Sequence, residues 1–330
     1  MIINKFIVHV FDKESTVPIL GDFEGKINQE SEGLLKKCLK KIIKNDNLRK
    51  GIFNEYNDNL VKKCCEQMIY EKDSFVDNSK EIASYMFEKM KEELGSCNVI
   101  MCLYSNKEQE GIAIMKIDYK SVYTHSIEYE DDRFNIQVIP NNVAFSIQPK
   151  IKQAALIELS GINDEYHVRV LDIDSEKEDS KSRFIEEFIN AKKVDDDTYK
   201  TKVLKKTIDK WINNHYSDDV KKAEEVKSLL NYRLLQSENI DVDEFISEII
   251  DDEQKDSLKE ELDEKNVNDN LNVDKGWIEK NINKRKMKLD NGFGIVGNIS
   301  DFEDPMKYSV KKNLDGSVDI VLKNVSYIEG

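Results

Sequence analysis

The sequence predicts an α+β protein: a mainly antiparallel sheet with packed helices in the N-terminal half, then a helix-rich C-terminal half ending in a small β-hairpin element. Three observations lead to that class. Between Asn98 and Asp172, short apolar and β-branched runs follow one another across brief polar turns, whereas parallel strands need crossovers of about a dozen residues. Segments of helical period precede those runs. Beyond Ser182 the period is again helical as far as residue 264, and strand character returns only over the last 45 residues. The charged stretch Asp174–Ser182 is the best boundary, giving expected domains 1–175 and 176–330.

Taken in order, residues 2–11 are rich in Ile, Val and Phe and read as a strand, with Val17–Leu20 placed to pair with it. From Ser31 to Asn45, Leu34, Leu35, Cys38, Leu39, Ile42 and Ile43 recur at helical spacing. Helices are expected over 55–70 and 79–94, the second capped by Asn78 with Glu81 three positions on. Strands are expected at Asn98–Tyr104 and Gly111–Asp118, joined through Ser105–Glu110, and at Val122–Tyr129 and Arg133–Ile139, joined by the acidic turn Glu130-Asp131-Asp132. A further pair, Ala154–Leu159 and Tyr166–Asp172, flanks the turn signal Ser160–Asp164. Helices follow at 182–192, 197–215, 217–236, 241–250 and 252–264, and Met306–Lys312 with Val318–Lys323 flank Asn313-Leu314-Asp315-Gly316 as a closing hairpin.

The net charge is −15 and the pI near 5.0, which by itself argues against nucleic acid, since phosphate contact calls for clustered cations. The excess is local, however. Residues 238–274 hold fifteen Asp and Glu against three Lys, leaving the rest of the chain near −3. No apolar run is long enough for a membrane helix, and the N-terminus lacks the features of a secretory signal. The five cysteines (Cys38, Cys64, Cys65, Cys97 and Cys102) sit mostly among apolar residues, as buried thiols in a reducing cytoplasm would.

Chemistry-bearing patterns fail on inspection. Gly292-Phe293-Gly294-Ile295-Val296-Gly297 spells a dinucleotide fingerprint, but Asn298–Pro305 reads as loop and too few residues follow for a βαβ unit. Asp172-Ile173-Asp174-Ser175-Glu176 resembles the start of a calcium loop, yet Lys177 and Arg183 occupy the required Gly and Glu positions. Asp118-Tyr119-Lys120 matches the acid-x-Lys element of metal-dependent nucleases, which would need Glu110 or Glu128 on the same metal. His9, His125, His167 and His215 have no zinc-ligand spacing and read as structural residues. No cofactor and no enzymatic activity are expected.

Three basic clusters remain. The first is Lys36, Lys37, Lys40, Lys41 and Lys44, continued by Arg49 and Lys50. The second is Lys200, Lys202, Lys205, Lys206 and Lys210. The third is Lys280, Lys284, Arg285, Lys286 and Lys288. Clusters sharing one face would line a phosphate backbone; the plainer account of each is polar filler on a solvated surface.

Many weak elements, in order, resemble the NdpA/YejK family of bacterial nucleoid-associated proteins in its Gram-positive form. They are Gly51-Ile52-Phe53-Asn54-Glu55, Asp118-Tyr119-Lys120 running into Tyr123-Thr124-His125, and Phe134-Asn135-Ile136 with Ile139-Pro140. Leu159-Ser160-Gly161 with Asn163-Asp164-Glu165-Tyr166, and the C-terminal Gly-rich strand with its hairpin, complete the set. The resemblance implies a cytoplasmic, nucleoid-located protein without assigned catalysis, whose partner is DNA or a nucleoid-bound protein. Three readings stay open: non-specific DNA binding through the Lys-rich surfaces, an adaptor for a protein of DNA metabolism, and a metal-dependent nuclease around Asp118 and Lys120. A homodimer is the expected oligomer, two-fold assemblies being the commonest kind.

Overall fold

The structure is a computed structural model. It describes residues 1–326 other than 94, 107–108, 144, 146–148, 159–165, 179, 217–219, 251–254, 268–269, 283, 290–291 and 314–316. The turn expected at Ser160–Asp164 and most of the closing hairpin turn therefore lie outside the described residues. The chain folds as two compact units, Met1–Val194 and Asp195–Gly330.

The first unit is built on a seven-stranded sheet in which every pair is antiparallel. Its strands are β1 (Ile2–Phe11), β2 (Arg49–Phe53), β3 (Cys97–Asn106), β4 (Gln109–Asp118), β7 (Gln153–Ile157), β8 (Val168–Asp172) and β9 (Ala191–Lys193), in the order β1-β3-β4-β7-β8-β2-β9. Between β4 and β7 the chain makes a separate two-stranded ribbon of β5 (Lys120–Glu130) and β6 (Arg133–Val143). The ribbon turns through Asp131 and Asp132, both at positive φ (50° and 60°), the backbone that a two-residue hairpin turn requires and that Asp tolerates.

Both faces of the sheet are covered, where the sequence suggests one helical layer. Strand alternation divides β3 cleanly: Val99, Met101 and Leu103 join the core under α2 (Leu60–Tyr70), α3 (Phe75–Met90) and a π-helical segment at Phe184–Ile189. Ile100, Cys102 and Tyr104 join a second core under α1 (Gln29–Ile43). Burial on both faces explains why β3 is apolar nearly throughout rather than alternating. A bulge at Asn4 shifts the β1–β3 register, so Ile3 faces α1 while Ile7 and Phe11 face α3. Asn4 Nδ2 donates to Ser105 Oγ at 2.6 Å and holds the extra residue in place.

Several expectations are revised. Asn78 does not cap α3; it lies buried within the helix, which starts at Phe75 because that ring is fully buried in the core. The stretch 174–182 is no linker. It contains α4 (Ile173–Glu178), and buried Asp172 accepts from Ser182 Oγ at 2.7 Å and Gln153 Nε2 at 2.9 Å. The chain then closes the sheet with β9, after Asn190 turns it at φ 53°, so the compact units divide after Val194 rather than at 175/176.

The second unit is mainly helical. Its core gathers Leu204, Ile208 and Trp211 of α5 (Asp197–His215), Leu230 and Leu234 of α6 (Val220–Gln236), and Phe245 and Ile249 of α7 (Val242–Ile249). It also takes in Leu258 and Leu262 of α8 (Lys255–Asp263) and Ile278 of α9 (Lys275–Asn281). Short strands β10 (Asn239–Asp241) and β11 (Asn270–Asn272) pair within it. Strands β12 (Lys284–Lys288) and β13 (Gly294–Asn298) pair, as do β14 (Tyr308–Lys312) and β15 (Val318–Leu322). The glycine-rich stretch thus lies largely in a strand, and a short helix, α10 (Ile299–Glu303), follows where loop is expected. A Cβ on Gly297 would come within 3.1 Å of the Phe302 ring, so this glycine serves close packing.

Helix α1 is started by a capping box: Asn28 Oδ1 accepts from Ser31 N at 2.8 Å, and Ser31 Oγ accepts from Asn28 N at 2.9 Å. Asn28→Ala is expected to cost about 1 kcal/mol, read as reduced hydrogen-exchange protection of the α1 amides.

Candidate nucleic-acid interface

Helix α1 lays Leu35, Cys38, Leu39 and Ile42 on the sheet, which turns Lys37, Lys40, Lys41 and Lys44 outward along its flank. Their spacing keeps them neighbours on one helical surface. The chain entering β7 runs past the end of this helix and adds Lys150, and Lys41 Nζ donates to Pro149 O at 3.2 Å. Between the two segments lies an open groove of about 600 Å³, floored by Ile42, Ile151, Leu171 and Ile173 and rimmed by the five lysines.

Among the described residues of the lining, Asp46 is the one carboxylate. Among the described residues, Lys37, Lys40, Lys44 and Lys150 form no ion pair. The negative end of the α1 dipole amounts to roughly half an elementary charge, so the lysines dominate the local field. Lys36 stands apart: its ammonium pairs with Glu32 at 2.7 Å, one turn back.

The second cluster is largely neutralised. Lys202 is only 6% exposed, Lys205 pairs with Asp209, and Lys210 pairs with Glu261 at 3.3 Å. Lys206 is exposed. Lys284, Arg285, Lys286 and Lys288 all fall on β12, whose backbone pairs with β13 from Lys284–Asn298 to Lys288–Gly294. The acidic stretch 238–274 is part of the second unit's own core through Phe245, Leu258 and Leu262, and its carboxylates meet Arg233, Lys210 and Lys265.

A second cavity, about 650 Å³, contains Asp118. Several of its charges are paired: Lys116 pairs with Asp118 at 2.5 Å and Lys152 with Asp174 at 2.6 Å, while Asp172 is held by Gln153 and Ser182. The hydrogen bond from Lys152 holds the Asp174 carboxyl below its ordinary value. Glu110 sits at the far end of β4 from Asp118, about 26 Å away at the rise of an extended strand, and bonds to Lys72. Glu128 lies near the ribbon tip. Among the described residues no three His, Cys, Asp or Glu converge to hold a metal ion.

Lys150 is the residue that sequence reasoning missed. Flanked by Pro149 and Ile151, it belongs to no cluster along the chain and reaches the others only through the fold.

Fold and groove together define an α+β protein with a cationic groove at the end of α1. Against known families, a model described as nucleoid-associated protein YejK matches residues 7–329, and the chain belongs to that family. Comparison with curated proteins gives no match. No helix among the described residues is long and apolar enough to cross a membrane.

Proposed function

We propose that this nucleoid-associated protein binds the phosphate backbone of DNA, without sequence preference, through the lysine groove at the end of α1, and that it does so on the nucleoid in the cytoplasm. The observation that carries the reading is the convergence of Lys37, Lys40, Lys41, Lys44 and Lys150 on one groove in a chain of net charge −15. Elsewhere the described lysines are often matched with carboxylates, as Lys152 is with Asp174 and Lys193 with Glu176. The groove offers point charges on flexible stems, which suit phosphate oxygens and carry no information about base edges.

Fluorescence anisotropy of a labelled duplex, titrated at several salt concentrations, tests it. Five phosphate contacts give a slope of log K against log salt of about −4.5. Reversing Lys37, Lys40, Lys41 and Lys44 to Glu is expected to weaken binding at least about a hundredfold and to flatten that slope. Equal loss on reversing Lys284, Arg285, Lys286 and Lys288 instead, with the groove variant unaffected, would move the interface to β12. Absence of binding at low salt would overturn DNA contact and leave the adaptor reading.

A further inference from the structure

The β5–β6 ribbon carries its apolar side chains on the wrong face for a solvated hairpin. Its register pairs Tyr123 with Pro140, His125 with Val138, Ile127 with Ile136, and Tyr129 with Phe134, so these four rungs share one face. The alternate face carries Thr124–Ile139, Ser126–Gln137 and Glu128–Asn135 and is the more polar. Only Val122, Thr124 and Ser126 of that polar face are half-buried, with Glu128, Asn135, Gln137 and Ile139 exposed, and Tyr123, His125, Ile127 and Tyr129 of the apolar face are exposed as well. The large side chains of the apolar face, Tyr123, Ile127, Tyr129, Phe134, Ile136 and Val138, are between 56% and 79% exposed.

That face amounts to roughly 700 Å² of contiguous apolar surface, more than a typical monomer exposes and close to one partner's share of a standard interface. A lone two-stranded hairpin is also marginal in water, and this one has eleven residues in each strand. Charge narrows the choice of partner. Residues 120–143 contain Lys120 and Arg133 against Glu128, Glu130, Asp131 and Asp132, with three of the four acids around the turn. A net negative ribbon with an acidic tip suits neither a phosphate backbone nor an anionic lipid surface.

The order of the rungs points to the occupant. Aromatic rungs stand at both ends of the apolar face and the aliphatic-rich rungs lie between them. A two-fold axis between the His125–Val138 and Ile127–Ile136 rungs sets the Tyr123–Pro140 rung of one copy against the Tyr129–Phe134 rung of the other. Side-chain size then matches along the whole face, as an isologous interface demands. We infer that the protein is a homodimer in which the two ribbons pack face to face and antiparallel, burying these rungs.

Sedimentation equilibrium of the full chain is the test, with the wild type expected to be a dimer at low micromolar concentration. The double variant Phe134→Glu, Val138→Glu changes only exposed positions and is expected to be monomeric with an unchanged circular dichroism spectrum. Cross-linking fixes the arrangement, using a short bis-maleimide matched to the ~10 Å spacing of packed sheets. All five native cysteines are buried, and burial pushes Cys64 up to about 12, so background labelling is slow. Val138→Cys, beside the axis, is expected to link to itself, and Asp131→Cys at the tip is not. A wild type that stays monomeric, a double variant that stays dimeric, or self-linking at Asp131 but not Val138 would each overturn the proposal. The lysine-groove variant is expected to remain a dimer, so this result and the DNA result stand or fall separately.

Discussion

Phe75→Ala is expected to lower the stability of the first unit by about 3–5 kcal/mol, the usual range for removing a fully enclosed aromatic ring. The ring has no exposed surface and opens α3 against the core shared by α2, α3 and the sheet. Its loss leaves a cavity next to α3 and β1, where Lys5 Nζ lies 5.9 Å from the ring centroid, and both elements are anchored elsewhere, α3 by Met86 and Met90 and β1 by Ile7 and Phe11. Collapse into that space would require the helix to move. Two units within one chain make a single global midpoint ambiguous. The informative readout is hydrogen exchange at amides of β3 and α3, whose protection should fall while that of α5 stays the same. Phe23→Ala is the control, since that ring is 85% exposed and its removal should cost less than about 0.5 kcal/mol. Equal losses for the two would show that α3 does not pack as described.

The first unit is also expected to weaken as pH falls from 7 to 5, by about 2 kcal/mol from His9 alone. This imidazole is fully enclosed. The Gly21 amide donates to Nδ1 at 3.1 Å, so Nε2 carries the proton and faces Ser79 Oγ at 3.2 Å, and Ser79 Oγ in turn donates to Val76 O at 2.6 Å. A second proton on Nδ1 would face that amide donor. Burial, with the Lys80 ammonium as a smaller contribution, brings the pKa from 6.5 down to about 4. The unfolded chain therefore binds the proton first. Stability from this residue is complete above pH 6.5 and declines as pH drops, and the decline ends near pH 4. Hydrogen exchange at the β1 and α3 amides, corrected for intrinsic rates at pH 7, 6 and 5, measures the slope. His9→Gln is expected to be less stable at pH 7 but to lose most of the pH dependence. A variant with the wild-type slope would assign the effect to other groups.

These two residues show how much was legible beforehand. The strand around His9 is visible from Ile2 to Phe11, and a structural histidine is the plain reading of a lone imidazole there. The bulge at Asn4, which sends Ile3 and Ile7 to opposite cores, leaves no trace in the apolar pattern, because both faces of the sheet are buried. Asn78 followed by Glu81 has the letters of a helix start. The enclosure of Phe75 outweighs them and begins the helix earlier. Strands β2 and β9, with five and three residues, are too short for periodicity to register. They are held by pairing across the chain, Arg49 with Val170 and Gly51 with Lys193.

Local periodicity and turn chemistry by themselves determined the class of this protein. The antiparallel run of strands, the acidic hairpin turn, the basic amphipathic helix and the helical second half all follow from interactions within a few residues of the chain. Tertiary structure alone decided which charges act together. Lys36 is drawn to Glu32 and Lys202 is buried, while Lys150, more than a hundred residues along the chain from Lys44, completes the groove. It also decided that the ribbon's apolar face stays exposed, since a two-residue alternation specifies two faces but not whether the rest of the fold will cover either.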